Sequence, residues 1–207
     1  MMKKLLLGAL VLFAPVAFAQ DVAPDDMVRR TTADVLNIIK QDKDIQGGNT
    51  HKIVELAEAK VLPNFNFARM TQLAVGKSWR EASDAQKQAL TKEFRTLLVR
   101  TYSTSLSQYR NQTIEVKPAK FAPADTEVTV KTLISQSGGQ AIPLDYSMEK
   151  TAQGWKVYDI LVDGVSLVTN YRSTFADEVR KGGIDGLVKT LTERNAKLRD
   201  AKADAKK

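Results

Sequence analysis

The sequence predicts an α+β fold in which a four-stranded antiparallel sheet is covered by helices from both ends of the chain. Two patterns predict it: apolar residues recur at helical spacing before residue 110 and after residue 166, and they alternate with period two between residues 113 and 162. Short, glycine-containing connections join the alternating segments, and such turns join antiparallel neighbours. With 43% hydrophobic and 27% charged residues, the chain has the composition of a globular protein.

The first half of the chain predicts four helices. Residues 25–43 form the first, which the Gly47-Gly48 pair ends. Thr50 is the predicted cap of the second helix, and Pro63 is its predicted end. The third helix is short and stops at Gly76.

The fourth helix opens with a capping box, because Gln86 follows Ser83 by three residues. Its apolar face runs from Leu90 to Tyr109.

The middle of the chain predicts the sheet, and the end predicts two further helices. Turns at Gly138-Gly139 and Gln153-Gly154 separate the later strands, and Asp163-Gly164 ends the sheet. A Gly182-Gly183 pair divides the C-terminal helices. The four predicted strands are residues 113–117, 126–134, 142–148 and 155–162.

The two ends of the chain lie outside the predicted domain, which spans residues 20–195. Residues 1–19 combine two lysines, an apolar stretch and an Ala-Phe-Ala cleavage site, the pattern of a secretory signal peptide. Residues 196–207 are basic and are predicted to be a disordered tail or a frayed, solvated helix end. We therefore expect an exported protein, located in the periplasm if the source is a Gram-negative bacterium.

Composition and motifs argue against most enzyme chemistry. The chain has no cysteine and a single histidine, His51, so we expect no thiol nucleophile and no metal site. Asp159 and Asp163 are the best-placed carboxylates, but a strand cation for the first and a turn for the second explain them without catalysis. No catalytic residue is predicted. The net charge of +7 favours an acidic partner or an anionic membrane surface over nucleic acid, which an exported protein rarely meets.

Three blocks of sequence carry a family resemblance. They are residues 61–80, which begin VLPNFNFARMT, residues 94–102, FRTLLVRTY, and residues 154–172, which contain GWKVYDI and VDGVSLVTNYR. Together they resemble the MlaC family, also called the toluene-tolerance auxiliary family, over about residues 25–195. The last block is the most specific, because so long a run in that order seldom arises by chance.

The resemblance implies a periplasmic phospholipid carrier that maintains the lipid asymmetry of the outer membrane. It implies an apolar cavity between helices and sheet, with phospholipid as cargo and no cofactor. It also implies two partners: the MCE-domain subunit of an inner-membrane ABC transporter and an outer-membrane lipoprotein–porin complex. A shuttle of this kind is expected to be a monomer.

We expect the residues that contact the lipid tails to lie on the apolar faces of the elements that such a cavity would separate. Leu73 and Val75 precede Gly76 and are expected to form a mobile flap. The full predicted set is Leu73, Val75, Phe94, Leu98, Tyr102, Val130, Leu144, Tyr146, Met148, Val157, Val165, Val168 and Tyr171.

Two other interpretations remain open on the sequence. One is a periplasmic chaperone or interaction module that binds apolar polypeptide or lipoprotein chains, since it would need the same apolar concavity. The other is a small hydrolase or isomerase, which would need a buried acid or histidine facing a cavity.

Overall fold

The structure is a computed structural model that describes residues 22–107, 111–136 and 138–204. The predicted signal peptide, Tyr109 and residues 205–207 lie outside the described part of the chain. The architecture is α+β, as the sequence predicted.

The N-terminal region consists of one long helix and two short ones. They are α1, Pro24–Gln41, α2, Lys43–Gln46, and α3, Thr50–Leu56. Asn49, rather than the predicted Thr50, caps α3: its side-chain oxygen accepts from the Lys52 backbone N–H at 3.3 Å. The chain then winds through a π-helical turn, Ala57–Val61, and a 3₁₀ turn, Leu62–Asn64.

Two further helices precede the sheet. Helix α4 covers Phe67–Val75 and ends at Gly76, whose φ of 67° confirms the predicted glycine stop. A 3₁₀ turn, Gly76–Arg80, leads to α5, Asp84–Ser107. The capping box is confirmed, since the Ser83 N–H donates to Gln86 at 3.0 Å and the Gln86 N–H donates to Ser83 at 3.3 Å.

The sheet has five strands, not the predicted four, and every neighbouring pair is antiparallel in the order β1-β2-β3-β4-β5. The additional strand follows a tight turn at Asp163 and Gly164, whose φ angles of 50° and 77° reverse the chain. Only two residues pair in it, too few for an alternating pattern in the sequence. The strands are β1, Thr113–Val116; β2, Glu127–Ser135; β3, Ile142–Thr151; β4, Gly154–Val162; and β5, Val165–Ser166.

The last element is helix α6, Leu167–Asp204, which is broken at Gly183. The φ of 67° and ψ of −169° at Gly183 are not helical, so the predicted division into two helices is present. Residues 196–204, predicted to be a disordered tail or a frayed, solvated helix end, continue the helix. These nine positions contain alanine, lysine, arginine, leucine and aspartate without glycine or proline, a composition compatible with helix.

The apolar residues form three clusters. The helical core joins α4, α5 and α6 around Phe94 and Phe175, and the sheet core packs Val28 of α1 against β2, β3 and β4. The N-terminal cluster joins α1 to α2 and α3 around Ile39 and Ile53. Phe65 packs against both the helical core and the sheet core, so the chain between the π turn and α4 connects the two layers.

Candidate functional site

A cavity of about 510 Å³ lies between α1 and one face of the sheet. Helix α1 forms one wall and strands β1 to β4 form the other, and the segment before α4 contributes to it as well. The cavity is lined by Met27, Val28, Thr31, Thr32, Val35, Leu36, Ile39, Val61, Asn64, Phe65, Gln112, Ile114, Ile134, Ile142, Leu144, Tyr146, Val157 and Ile160.

The cavity exists because α1 divides its apolar face between two clusters. Val28, near the start of the helix, packs into the sheet core. Val35 and Ile39, two and three turns later, pack against α2 and α3 instead. The sheet opposite this part of α1 is therefore left without a close-packed partner, and the space between them remains open.

The sheet wall is built from neighbouring side chains on one face. Ile114 of β1 pairs with Ile134 of β2, which pairs in turn with Ile142 of β3. Farther along β3, Tyr146 pairs with Ile160 of β4. Such same-face neighbours on adjacent strands touch one another, so they make a continuous apolar surface.

A β-bulge shapes the wall at β4. Ser147 pairs with Asp159 but Met148 pairs with Val157, so Tyr158 is the extra residue. Val157 and Ile160 are three positions apart and would face opposite sides of a regular strand. Because of the bulge, both line the cavity.

One residue of the cavity lining also lies at the protein surface. Ile142, at the start of β3, lines the cavity and is also 49% exposed to solvent. Because this side chain belongs to both the lining and the surface, we infer that the mouth of the cavity lies at Ile142.

Few polar groups line the cavity, and no lining residue carries a charge in the part of the chain that the structure describes. The Asn64 side-chain amide donates to the Thr31 hydroxyl at 3.2 Å and to the Lys60 carbonyl at 3.0 Å. Burial raises the pKa of the Tyr146 hydroxyl to about 12, so this phenol is neutral at physiological pH. The site is suited to holding an apolar ligand by burial.

Of the predicted tail-contact residues, Leu144, Tyr146 and Val157 line this cavity. Val130 and Met148 lie in the sheet core next to it. Tyr102 and Val165 lie outside the lining, 42% and 64% exposed. The remaining predicted residues belong to the helical core or pack against it: Leu73, Val75, Phe94, Leu98, Val168 and Tyr171.

Sequence reasoning missed the α1 wall. The apolar spacing predicts helix α1 itself but does not predict that this helix lines the site. The sequence feature that could have identified this wall is the pair Thr31-Thr32. It interrupts the apolar face of α1 between Val28 and Val35, and both threonines line the cavity. A second missed signal is the isoleucine at corresponding ends of three strands, Ile114, Ile134 and Ile142.

A charged cluster fastens α4 to the central strands of the sheet. The Arg69 guanidinium pairs with Glu127 at 2.6 Å and with Glu149, and it lies 3.8 Å from the centre of the Tyr158 ring. Asn66, the cap of α4, donates to Glu149 at 2.7 Å. The hydrogen bond from Arg69 lowers the pKa of the Glu127 carboxyl. This cluster connects the helical layer to the sheet.

The carboxylate and the histidine that the sequence offers as catalytic candidates, Asp159 and His51, make local contacts that need no catalytic role. The sequence predicts a strand cation as the partner of the Asp159 carboxylate. In the described part of the chain this carboxylate instead accepts from the Val168 N–H at 3.1 Å and so caps α6. His51 is exposed and lies 3.4 Å from Glu55. Within the described ranges, no cluster of His, Asp and Glu could hold a metal ion, and no helix is long and apolar enough to span a membrane.

Relatives of the chain are known at the sequence level. The model of the MlaC protein family matches residues 29–193. Toluene tolerance protein ttg2D of Pseudomonas putida is 28% identical over 187 residues, covering 89% of this chain and 86% of that protein. The intermembrane phospholipid transport system binding protein MlaC of Haemophilus influenzae is 26% identical over 136 residues, 64% of each chain.

A solved structure extends the similarity to three dimensions. The phospholipid-binding protein of Ralstonia solanacearum, determined in complex with a phospholipid, is 41% identical to this chain. It superposes with a TM-score of 0.79 over 87% of this chain and 99% of its own. With a family model matching most of the sequence and this agreement in fold, the chain belongs to the MlaC protein family.

Proposed function

We propose that this protein is a phospholipid carrier that holds the acyl chains of its cargo in the cavity between α1 and the sheet. The observation that carries the proposal is the cavity itself, about 510 Å³ in volume and lined mainly by aliphatic side chains from both walls. The phospholipid bound by the Ralstonia solanacearum relative supports it. The headgroup stays near the mouth at Ile142, where water can solvate its charges.

The energetic case for a carrier is strong. A phospholipid has about 30 chain methylenes, and at ~0.8 kcal/mol each their exposure to water costs on the order of 20 kcal/mol. Unassisted passage through an aqueous compartment is therefore negligible. A cavity lined by isoleucine, leucine and valine side chains can replace water around the acyl chains, and a carrier must do so without binding so tightly that release fails.

We further propose the setting in which the carrier works. The N-terminal signal-peptide pattern and the family membership favour the periplasm. There the protein would pass lipid, as a monomer and without a cofactor, between an outer-membrane lipoprotein–porin complex and an inner-membrane ABC transporter with an MCE-domain subunit. Direction must come from these partners, because a passive carrier moves cargo only by differences in affinity.

The first test is native mass spectrometry of the protein purified gently from its own periplasm, followed by lipid extraction. An adduct with the mass of a phospholipid, released on denaturation, is the expected result. A protein that is empty on purification and stays empty after incubation with phospholipid vesicles would overturn the proposal. A bound polypeptide instead would favour a chaperone that binds apolar chains.

A matched pair of variants locates the site. Leu144→Glu places a charge in the cavity, whose apolar surroundings penalise it whenever an acyl chain fills the space. Thr129→Glu introduces the same charge on the exposed face of the neighbouring strand. We expect the first variant to fold and to lose at least about tenfold in retained lipid, and the second to keep it. Equal lipid content in both would place the acyl chains elsewhere.

A further inference from the structure

The hydroxyl of Tyr146 is the most conspicuous polar group in the cavity. Tyr146 is in the middle of β3, on the face that carries Leu144 and Ile142, and its neighbour across the strand is Ile160. The bulge in β4 begins at the next residue pair, Ser147 and Asp159. Bulges re-aim side chains and are common beside functional sites, so this part of the wall is not regular sheet.

Apart from Tyr146, every polar side chain that lines the cavity except Thr32 has a hydrogen-bond partner among the described residues. Asn64 and Thr31 bond to each other, and the Gln112 amide donates to Gln136 at 3.2 Å. Tyr146 makes no hydrogen bond to any residue that the structure describes, and neither does the hydroxyl of Thr32 on the opposite wall. Once an acyl chain displaces the water from the cavity, a hydroxyl left without a partner is costly, which makes a polar group of the ligand the natural partner for Tyr146.

The chemistry of the partner follows from the chemistry of the phenol. A neutral phenol in apolar surroundings donates one hydrogen bond and needs an acceptor. Along a diacyl phospholipid, the groups between the apolar tails and the charged headgroup are the two ester linkages, and their carbonyl oxygens are acceptors only. An ester carbonyl can enter an apolar cavity at far lower desolvation cost than a phosphate.

On the basis of the proposed function, we propose that the Tyr146 hydroxyl donates a hydrogen bond to an acyl-ester carbonyl of the bound lipid. Tyr146 thereby sets the depth to which the tails enter, because the ester stops where the donor is. It also makes the carrier prefer ester-linked lipids over ether-linked lipids, which lack the carbonyl.

The test compares two synthetic lipids and three proteins. The lipids are a diacyl phosphatidylethanolamine and its dialkyl ether analogue with the same chains and headgroup, each presented in competition to the delipidated protein. The proteins are the wild type, Tyr146→Phe and Thr32→Val. Each substitution deletes one unpartnered hydroxyl of the cavity while keeping the shape of the side chain.

We expect the wild type to favour the diacyl lipid by about three- to tenfold, the worth of one neutral hydrogen bond. Tyr146→Phe should bind both lipids equally, and Thr32→Val should keep the wild-type preference. If the preference survives in Tyr146→Phe, or if the wild type shows none, the assignment of Tyr146 is wrong although the carrier function stands. If neither lipid binds the wild type, the carrier function itself fails.

Discussion

The helical core and the cavity region contain similar side chains but pack them in opposite ways. In the helical core, Phe94 meets Tyr171 and Phe175 edge-on, with ring centres 5.1 Å apart in both pairs, and Phe94 is completely buried. In the cavity region, isoleucine, leucine and valine side chains line about 510 Å³ of open space. The presence of apolar side chains therefore does not decide whether a region packs closely or leaves a cavity.

The difference lies in the partner that each apolar face meets. Helices α4, α5 and α6 pack against one another, so their faces interlock at interior density. The face of α1 is shared between the sheet core and the N-terminal cluster, and the stretch between them carries Thr31 and Thr32. The cavity thus lies where the apolar face of α1 is divided between the sheet core and the N-terminal cluster and does not pack closely along its whole length.

The largest expected effect contrasts a truncation in each region. Phe94→Ala leaves a void among close-packed rings and should lower the free energy of unfolding by about 3–5 kcal/mol. Leu36→Ala removes a half-buried side chain that already borders open space, so we expect a loss of only about 1 kcal/mol. Urea-induced unfolding of both variants and of the wild type, all without lipid, measures the difference.

This contrast has a second part that involves the cargo. Leu36→Ala should weaken lipid retention, whereas the Phe94→Ala protein that remains folded should still carry lipid. Similar stability losses in the two variants would mean that the cavity is packed as tightly as the helical core. The distinction between the regions would then be lost.

A smaller effect is expected where the two regions are joined. Arg69→Gln removes the guanidinium that holds Glu127 and Glu149 under α4, and we expect a loss of about 1–2 kcal/mol, since the pair is partly exposed. A double-mutant cycle with Glu149→Gln should show that much of the loss is shared between the two residues.

The same cluster predicts an acid dependence of stability. Arg69 lowers the pKa of Glu127 in the folded state below the ordinary value of 4.5. The stabilisation is therefore present above about pH 4.5 and is lost as the pH falls through the folded-state pKa. Wild type should lose stability on acidification more steeply than Arg69→Gln. Parallel acid profiles of the two proteins would contradict this account of the cluster.

Local signals in the sequence predicted local structure well. The Ser83–Gln86 capping box, the Gly76 stop and the break at Gly183 each depend on a few neighbouring residues, and the structure has all three. The alternation of β3 also identified Leu144 and Tyr146 on the wall that faces the cavity.

Features that depend on tertiary partners could not be predicted in the same way. Phe94 and Val168 have the spacing of a helix face, but only their packing shows that they fill the helical core. The position of α1 over the sheet is set by contacts with residues far away in sequence. The bulge at Tyr158 shifts the period of β4, so Ile160 faces the cavity although the spacing from Val157 predicts the opposite side.

The smallest expected effect uses one tyrosine from each region as a probe. Burial raises the pKa of Tyr146 in the cavity and of Tyr171 in the helical core to about 12. Each neutral phenol therefore contributes stability that is complete below about pH 10 and is lost as the pH rises toward 12. Contact of the cavity with solvent makes the contribution of Tyr146 smaller.

Lipid should separate the two probes. An acyl chain in the cavity displaces water from around Tyr146 but cannot enter the close-packed surroundings of Tyr171. We expect bound lipid to raise the pKa of Tyr146 further, by about half a unit or more, and to leave that of Tyr171 unchanged. Ultraviolet titration of tyrosinate in Tyr146→Phe and Tyr171→Phe, with and without lipid, assigns the two transitions. A shift that disappears with Tyr171 instead would place the lipid in the helical layer, and the comparison between the two regions would be reversed.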